Sequence, residues 1–209
     1  MKRPLRLLLA SNNRKKLAEL AHLLDGLSIA LVVPNDVGGV PDVVEDAPTF
    51  AGNAAKKARS AALAKECWAL ADDSGLSVDA LGGAPGVLSA RFAGAHGDDD
   101  ANNRKLLAEL AGLPSFLRGA HFTCSLALAR PDGTIAAAIE GIAHGRILHA
   151  PRGTHDFGYD PLFEFTEPGF EASNRSFAEL EPAVKGEVSH RGRALRQLAH
   201  DLPRLVSER

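Results

Sequence analysis

The sequence contains few of the residues that define several common protein classes. Among its 209 residues are only two cysteines, Cys67 and Cys124, which are too few and too far apart for a disulfide framework or a zinc cluster. We predict that both are buried small hydrophobic residues in a reduced protein. No stretch approaches the roughly 18 apolar residues of a membrane span, and the apolar run Leu5–Ala10 is shorter than a signal-peptide core. The sequence therefore favours a cytoplasmic protein with no membrane partner.

An excess of positive charge is also absent. The chain has 24 Lys and Arg against 26 Asp and Glu, a formal net charge of −2, whereas a general nucleic-acid binder normally has a basic excess. We therefore expect no nucleic-acid partner. Apolar residues make up 45% of the chain, enough for a sizeable core. With no repeat or linker in the sequence, we expect one continuous catalytic domain over residues 1–209.

Short apolar strands alternate with amphipathic helices in the first half of the chain, and a long hairpin follows. Leu5–Ala10 and Cys67–Ala71 are typical of buried strands, and Thr49 can cap a helix between them. Pro131-Asp132-Gly133 predicts a hairpin turn, and the last helix is expected around Arg193–Leu202. This order predicts an α/β fold with an elongated, mixed, twisted sheet flanked by helices, in two lobes around a cleft.

A polar, basic segment lies between the first strand and the next helix. A strand–loop–helix junction presents free backbone N–H groups, and the start of the helix adds positive potential, so anions bind there readily. The segment lacks the glycine spacing of a P-loop, so a solvated helix start remains an equal alternative from the residues alone. Its residues are Ser11, Asn12, Asn13, Arg14, Lys15 and Lys16.

Two adjacent carboxylates, Asp72 and Asp73, follow the apolar strand Cys67–Ala71. We place them at the carboxyl end of that strand, where α/β proteins build their sites. Carboxylate oxygens are the ligands that Mg²⁺ prefers, although a capping turn would use the same residues. Neighbouring side chains of a strand point to opposite faces, so we expect only one of the two to face a metal ion.

Two further segments group aromatic or polar residues that could bind a ligand. Asp156-Phe157-Gly158-Tyr159-Asp160 contains the only tyrosine of the chain, and an aromatic ring beside a glycine in a loop can stack on a base. The segment Lys185–Gly192 groups three hydrogen-bond donors, Lys185, His190 and Arg191, just ahead of the last helix. A hydrophobic corner and a capped helix start are the alternatives. No GxSxG, HExxH or CxxC motif supports a side-chain nucleophile or a metalloprotease.

Taken in order, these segments resemble the inosine triphosphate pyrophosphatase family. The matching pieces are LLLASNNRKKLAEL, TFAGNAAKKAR, ADDSGLSVDALGGAPGVLSARFAG, FGYDPLF and KGEVSHRGRAL, which span residues 7 to about 195. The resemblance implies a homodimer that uses Mg²⁺ to hydrolyse dITP, ITP and XTP to the monophosphate and diphosphate. Such an enzyme removes these nucleotides before they enter DNA or RNA.

The resemblance also implies roles for individual residues. Asp73 is similar to the family's proton acceptor and metal-associated carboxylate, and Glu45 to another acidic position that we take as the second metal ligand. The residues that resemble substrate-binding positions are Ser11, Asn12, Asn13, Arg14, Lys15, Lys16, Ser74, Phe157, Gly158, Tyr159, Asp160, Lys185, His190 and Arg191. Of these, Ser11 to Lys16 match the triphosphate loop, and Phe157 to Asp160 with Lys185, His190 and Arg191 match the nucleobase pocket.

The chain departs from the family pattern at two places. Family members often have Glu-Asn-Ala where this chain has Gly52-Asn53-Ala54, so one acidic residue near the metal is missing. The phosphate loop reads Ser-Asn-Asn instead of the frequent Thr-Gly-Asn, which leaves less room at Asn12. Two alternatives stay open. One is a related Maf-type pyrophosphatase acting on dTTP or UTP, against which the SHRG and FGYDP elements argue, and the other is a nucleotide-binding sensor that has lost catalysis, which Gly52 suggests.

Overall fold

A computed structural model describes residues 4–12, 17–18, 20–21, 24, 28–154 and 157–207. The strands in these ranges are β1 (Leu5–Leu9), β2 (Ile29–Val32), β3 (Trp68–Val78), β4 (Gly119–Ala129), β5 (Ile135–Ile147) and β6 (Phe163–Phe165). The α-helices whose ends lie in the described ranges are α1 (Phe50–Lys65), α2 (Asp99–Glu109), α3 (Pro182–Val188) and α4 (His190–Ser207), and residues 17–18 and 20–21 are also helical. Among the described residues, no helix combines the length and the apolar character that a membrane crossing requires.

The six described strands form one sheet in the order β2-β1-β3-β4-β5-β6. β1 pairs in parallel with both β2 and β3, whereas β5 and β6 pair antiparallel. The connection from β4 to β5 is the predicted tight turn, in which Arg130 N donates to Thr134 O at 2.8 Å. The prediction of an α/β fold with a mixed sheet is confirmed.

The chain divides into two compact units, each with its own core. The first contains Met1–Asp73, Ser125–Glu140 and Ala194–Arg209, and the second contains Ser74–Cys124 and Gly141–Arg193. Strands β3, β4 and β5 contribute residues to both units. That residues 1–209 act as one catalytic domain stays a prediction.

The core of the first unit is built from small side chains. Alanines of α1 pack with residues of β1, β3 and β4, and Cys67 belongs to this cluster. Helix α1 begins where expected, because the Thr49 hydroxyl accepts a hydrogen bond from Gly52 N at 3.1 Å. Small residues on one face let a helix lie close to the sheet, so polar side chains of α1 reach the strand beneath them.

The core of the second unit is aromatic. Phe122, Phe163 and Phe177 contact one another, with ring centroids 4.7 to 5.9 Å apart. Leu106 of α2 and Leu110, which directly follows this helix, are buried in this cluster. Cys124 is buried and, like Cys67, is a free thiol, which confirms the prediction for both cysteines.

Two predicted boundaries are wrong. β3 does not end at Ala71 but continues to Val78, so Asp72 and Asp73 lie within a strand and not at its carboxyl end. The last helix begins at His190 and not near Arg193, because the Ser189 hydroxyl accepts a hydrogen bond from Gly192 N at 3.1 Å and caps the first turn.

Candidate functional site

In the first unit, Lys57 on α1 lies between two carboxylates from different parts of the chain. Its Nζ is 3.2 Å from Glu45 Oε2 and 3.3 Å from Asp73 Oδ1. The Asp73 side chain is 14% exposed and that of Lys57 19%, so both are largely shielded from water. The structure therefore brings together the two carboxylates that the sequence proposed as metal ligands.

Asn53, one turn before Lys57 on α1, completes this cluster. Its Nδ2 donates to Asp73 Oδ2 at 3.1 Å, and its Oδ1 accepts from Ala47 N at 3.0 Å. Residues four apart on a helix share a face, so Asn53 and Lys57 both reach β3. Burial raises the pKa of the Asp73 carboxyl and the Glu45 carboxylate adds to the rise, whereas Lys57 and Asn53 oppose it.

The cluster offers several oxygen atoms that could bind a metal ion, but it contains only two carboxylates. In the described part of the chain, no three His, Cys, Asp or Glu side chains group closely enough to hold a metal ion by themselves. Mg²⁺ usually keeps several waters and binds one or two carboxylates with phosphate oxygens, so a pair of carboxylates suits it. Glu45 and Asp73 already share one cation, the Lys57 ammonium, which fits such a site.

Gly52 explains how the segment that carries Glu45 comes near α1. A Cβ atom on Gly52 would lie 2.8 Å from the Ala47 Cβ, closer than carbon atoms approach without displacement. The missing side chain therefore makes room for the loop. The residue that departs from the family pattern lies where it favours the approach of Glu45.

The predicted triphosphate loop is only partly described. Asn12 accepts a hydrogen bond from Asn35 N on its Oδ1, at 3.2 Å, and Ser11 N donates to Leu9 O at 2.7 Å. Asn13, Arg14, Lys15 and Lys16 lie outside the described residues. Their assignment to triphosphate binding stays a prediction.

In the second unit, the Lys185 side chain on α3 lies beside two residues of the Phe157–Asp160 turn. Its Nζ forms an ion pair with Asp160 and lies 6.0 Å from the centroid of the Phe157 ring. Phe157 is 49% exposed, whereas Asp160 is 3% exposed. Burial raises the pKa of Asp160, and the positive charges of Lys185 and Arg191 oppose that rise. The turn thus presents one aromatic face beside a buried ion pair.

His190 and Arg191 lie in the first turn of α4. The His190 ring stacks on Phe122 at 4.7 Å between centroids, and its Nδ1 is buried with no hydrogen-bond partner among the described residues. Burial lowers the pKa of His190 well below its ordinary value, and the positive charges of Arg191 and Lys185 lower it further. Arg191 Nη2 lies 3.4 Å from Ser74 Oγ, which joins two predicted substrate-binding residues.

Tyr159 and Gly158 have structural contacts. The Tyr159 hydroxyl donates to Ser89 O at 2.9 Å, its ring belongs to the core of the second unit, and burial raises its pKa. Gly158 N donates to Asp99 Oδ2 at 2.8 Å. In these two residues of the predicted nucleobase pocket, the Gly158 N–H and the Tyr159 hydroxyl are therefore engaged in hydrogen bonds within the protein.

Comparison with known proteins decides the family. The sequence profile of the Ham1 family matches residues 7–201. The chain belongs to the Ham1 family. It is 51% identical over 206 residues to a dITP/XTP pyrophosphatase of Rhodopirellula baltica, an alignment that covers 99% of this chain and 97% of the relative. It is 48% identical to a dITP/XTP pyrophosphatase of Corynebacterium efficiens, covering 98% and 100%.

Solved Ham1 structures have the same fold. A HAM1 protein from Coxiella burnetii superposes with a TM-score of 0.87 at 40% identity, covering 96% of this chain and 99% of that one. A nucleoside-triphosphatase, also described as a dITP/XTP pyrophosphatase, from Mycobacterium abscessus superposes with a TM-score of 0.78 at 45% identity, covering 93% and 98%. The family resemblance inferred from the motifs is confirmed.

Sequence reasoning did not single out four residues, two in the carboxylate cluster of the first unit and two beside the Phe157–Asp160 turn of the second. Asn53 and Lys57 share a helix face after the Thr49 cap, so helical spacing could have paired them with the metal-site residues. Asp99 and Asn103 contact Gly158 across more than fifty residues of chain, and no local signal predicts that contact.

Proposed function

We propose that the protein hydrolyses non-standard purine nucleoside triphosphates, such as dITP, ITP and XTP, to the monophosphate and diphosphate. This reaction would remove them from the nucleotide pool before incorporation into DNA or RNA. The observation that carries the proposal is the convergence of Glu45 and Asp73 on Lys57, because two carboxylates close together could hold the Mg²⁺ of a metal–triphosphate complex. Membership of the Ham1 family and relatives named dITP/XTP pyrophosphatases support it.

Asp73 is proposed as the general base. It accepts a proton from a water molecule whose oxygen bonds to the α-phosphorus, while the bond from that phosphorus to the diphosphate oxygen breaks. No side-chain nucleophile is needed. A general base must be held in a defined orientation, and the hydrogen bond from Asn53 Nδ2 to Asp73 Oδ2 supplies that restraint.

The triphosphate carries about four negative charges, which repel an attacking oxygen. Glu45 and Asp73 would hold Mg²⁺, which when bound neutralises much of this charge. Lys57, whose side chain pairs with both carboxylates, would add a positive charge near the phosphates. The segment Ser11–Lys16, with Lys16 as its main cation, is assigned to the triphosphate from the sequence.

Base recognition is assigned to the second unit. Phe157 offers an exposed ring on which any purine can stack. Hypoxanthine and xanthine carry an oxygen at position 6, whereas adenine carries an amino group. Donors from His190 and Arg191 would pair with that oxygen but would face another donor in ATP, and buried unpaired groups can discriminate by roughly 10⁴-fold or more.

Release of diphosphate from ITP, XTP, GTP, ATP and dTTP, measured side by side with Mg²⁺ and with EDTA, tests the proposal. We expect ITP and XTP to be the best substrates, ATP to be poor and EDTA to abolish turnover. The Asp73→Asn variant is the control for contaminating phosphatases. A preference for dTTP would support the Maf-type alternative instead, and ITP binding without diphosphate release would support a sensor.

The proposal includes a homodimer and a cytoplasmic location. Both come from the family resemblance and the composition. Light scattering during size-exclusion chromatography tests the first, with an expected mass of twice the 22.0 kDa of one chain. A monomer at micromolar concentration would contradict it.

A further inference from the structure

Both backbone polar groups of Gly158 are held by one face of α2. Gly158 N donates to Asp99 Oδ2 at 2.8 Å, and Gly158 O accepts from Asn103 Nδ2 at 2.9 Å. Asp99 and Asn103 are four residues apart in the same helix, so their side chains project from the same side. A helix that packs in the core of the second unit thus fixes the peptide groups on either side of one glycine.

This restraint acts at the centre of the Phe157–Asp160 turn. Gly158 has φ +57°, in the left-handed region, and a glycine without restraints would exchange among many conformations. On one side of it is the exposed Phe157 ring, and on the other the buried Asp160 that pairs with Lys185. The conformation of Gly158 therefore sets the directions in which Phe157 and Asp160 leave the turn.

We infer that Asp99 and Asn103 are positioning residues for nucleobase binding, because they hold the turn that presents Phe157 and the Asp160–Lys185 pair. The inference rests on the proposed function, in which this turn faces the base. Neither residue takes part in the chemical step. Ordering the turn in advance removes an entropic cost from substrate binding, so its loss weakens binding of the base and leaves the chemical step unchanged.

The test compares ligands with and without a base. In Asp99→Ala and Asn103→Ala, we expect the KM for ITP and the dissociation constant of IMP to rise about 10-fold each, as for one lost hydrogen bond. We expect kcat to stay near the wild-type value. The inhibition constant of inorganic triphosphate, which has no base, should not change.

Matched variants separate positioning from helix stability. Asp99→Asn keeps an acceptor oxygen for Gly158 N and should restore wild-type KM. Asp100→Ala removes the same charge from the same helical turn at an exposed position and should have no effect on KM. Melting temperatures identify variants that fold, and Asn103→Asp, which keeps the shape but not the donor, replaces Asn103→Ala if the latter unfolds.

An unchanged KM for ITP in a folded Asp99→Ala variant would overturn the inference. Equal weakening of IMP and inorganic triphosphate would also overturn it, because the effect would then not concern the base. A wild-type protein that binds IMP but releases no diphosphate from ITP would contradict the proposed function alone, since the IMP measurements on the variants would still decide the role of Asp99 and Asn103.

Discussion

Asn53 donates its side-chain amide to Asp73 Oδ2 at 3.1 Å from a position where the asparagine is only 1% exposed. The same side chain accepts a hydrogen bond from Ala47 N, in the segment that also carries Glu45. Leaving a buried polar group without its partner costs about 1–3 kcal/mol, so this arrangement is strongly favoured. One amide thus fixes both the proposed general base and the loop of the second carboxylate.

Replacing Asp73 with Asn should reduce kcat at least about 100-fold if Asp73 is the general base, because the amide cannot accept the proton. The change is nearly isosteric, so the fold should persist. Asp72→Asn is the matched control on the same strand and should cost less, since adjacent side chains of β3 point to opposite faces. Steady-state kinetics with ITP measure both, and equal losses would refute the assignment of one carboxylate to the site.

Gly52→Ala should weaken the response to Mg²⁺, because the new Cβ would displace Ala47 and with it the loop that carries Glu45. Changes that misplace a metal ligand indirectly typically cost about 10-fold or more in metal affinity. The measurement is the Mg²⁺ concentration for half-maximal turnover. Gly186→Ala, in α3 with open space around its Cβ position, is the control. A Gly52→Ala protein with unchanged Mg²⁺ dependence would show that the close approach has no functional role.

Arg118→Lys should destabilise the protein without a direct effect on catalysis. The buried guanidinium donates to three backbone carbonyls, those of Leu110, Ile147 and Leu148, each at 2.8 Å. A lysine ammonium cannot reproduce the planar fork, so the free energy of unfolding should fall by about 2 kcal/mol or more. Urea unfolding measures it, with the exposed Arg104→Lys as control. Equal stability of the two variants would contradict a structural role for the Arg118 fork.

The buried His190 should make stability depend on pH below about 6.5, the ordinary pKa of histidine. Its folded-state pKa lies well below that value because of burial, so the unfolded chain takes up a proton there that the folded protein does not. Stability is therefore present above that pH and is lost as the pH falls, by up to about 1.4 kcal/mol per pH unit for one site.

His190→Asn should flatten this part of the pH dependence of unfolding, measured in urea at pH 5, 6 and 7. The exposed His96→Asn serves as control and should leave the slope unchanged. Identical slopes for wild type and His190→Asn would show that His190 is not the group responsible.

Arg191→Ala should impair discrimination between purines. If Arg191 donates to an oxygen at position 6, kcat/KM for ITP should fall about 10- to 100-fold, equivalent to about 1.5–3 kcal/mol, while the poor rate with ATP changes much less. The exposed Arg196→Ala, on the same helix, is the control. A parallel decrease for ITP and ATP in a folded variant would exclude this role in base recognition.

Local signals in the sequence correctly predicted two features that depend on near neighbours. The Thr49 cap sets the start of α1, and the turn Pro131-Asp132-Gly133 connects β4 to β5, as predicted. Dependence on distant partners explains one of the two wrong boundaries. Asp72 and Asp73 look like the end of a strand because polar residues follow an apolar run, but β3 continues past them to Val78. The end of a strand depends on the neighbouring strands of the sheet, which the residues around that end do not predict.

The sequence by itself determined the secondary-structure order, the mixed α/β class and, through its motifs, the family. Only the tertiary structure showed that Glu45 and Asp73 both contact Lys57, and that Gly52 makes room for the loop that carries Glu45. It also placed Asp99 and Asn103 against Gly158. These contacts join residues far apart in the chain, and their geometry depends on packing in three dimensions, which no local pattern of residues encodes.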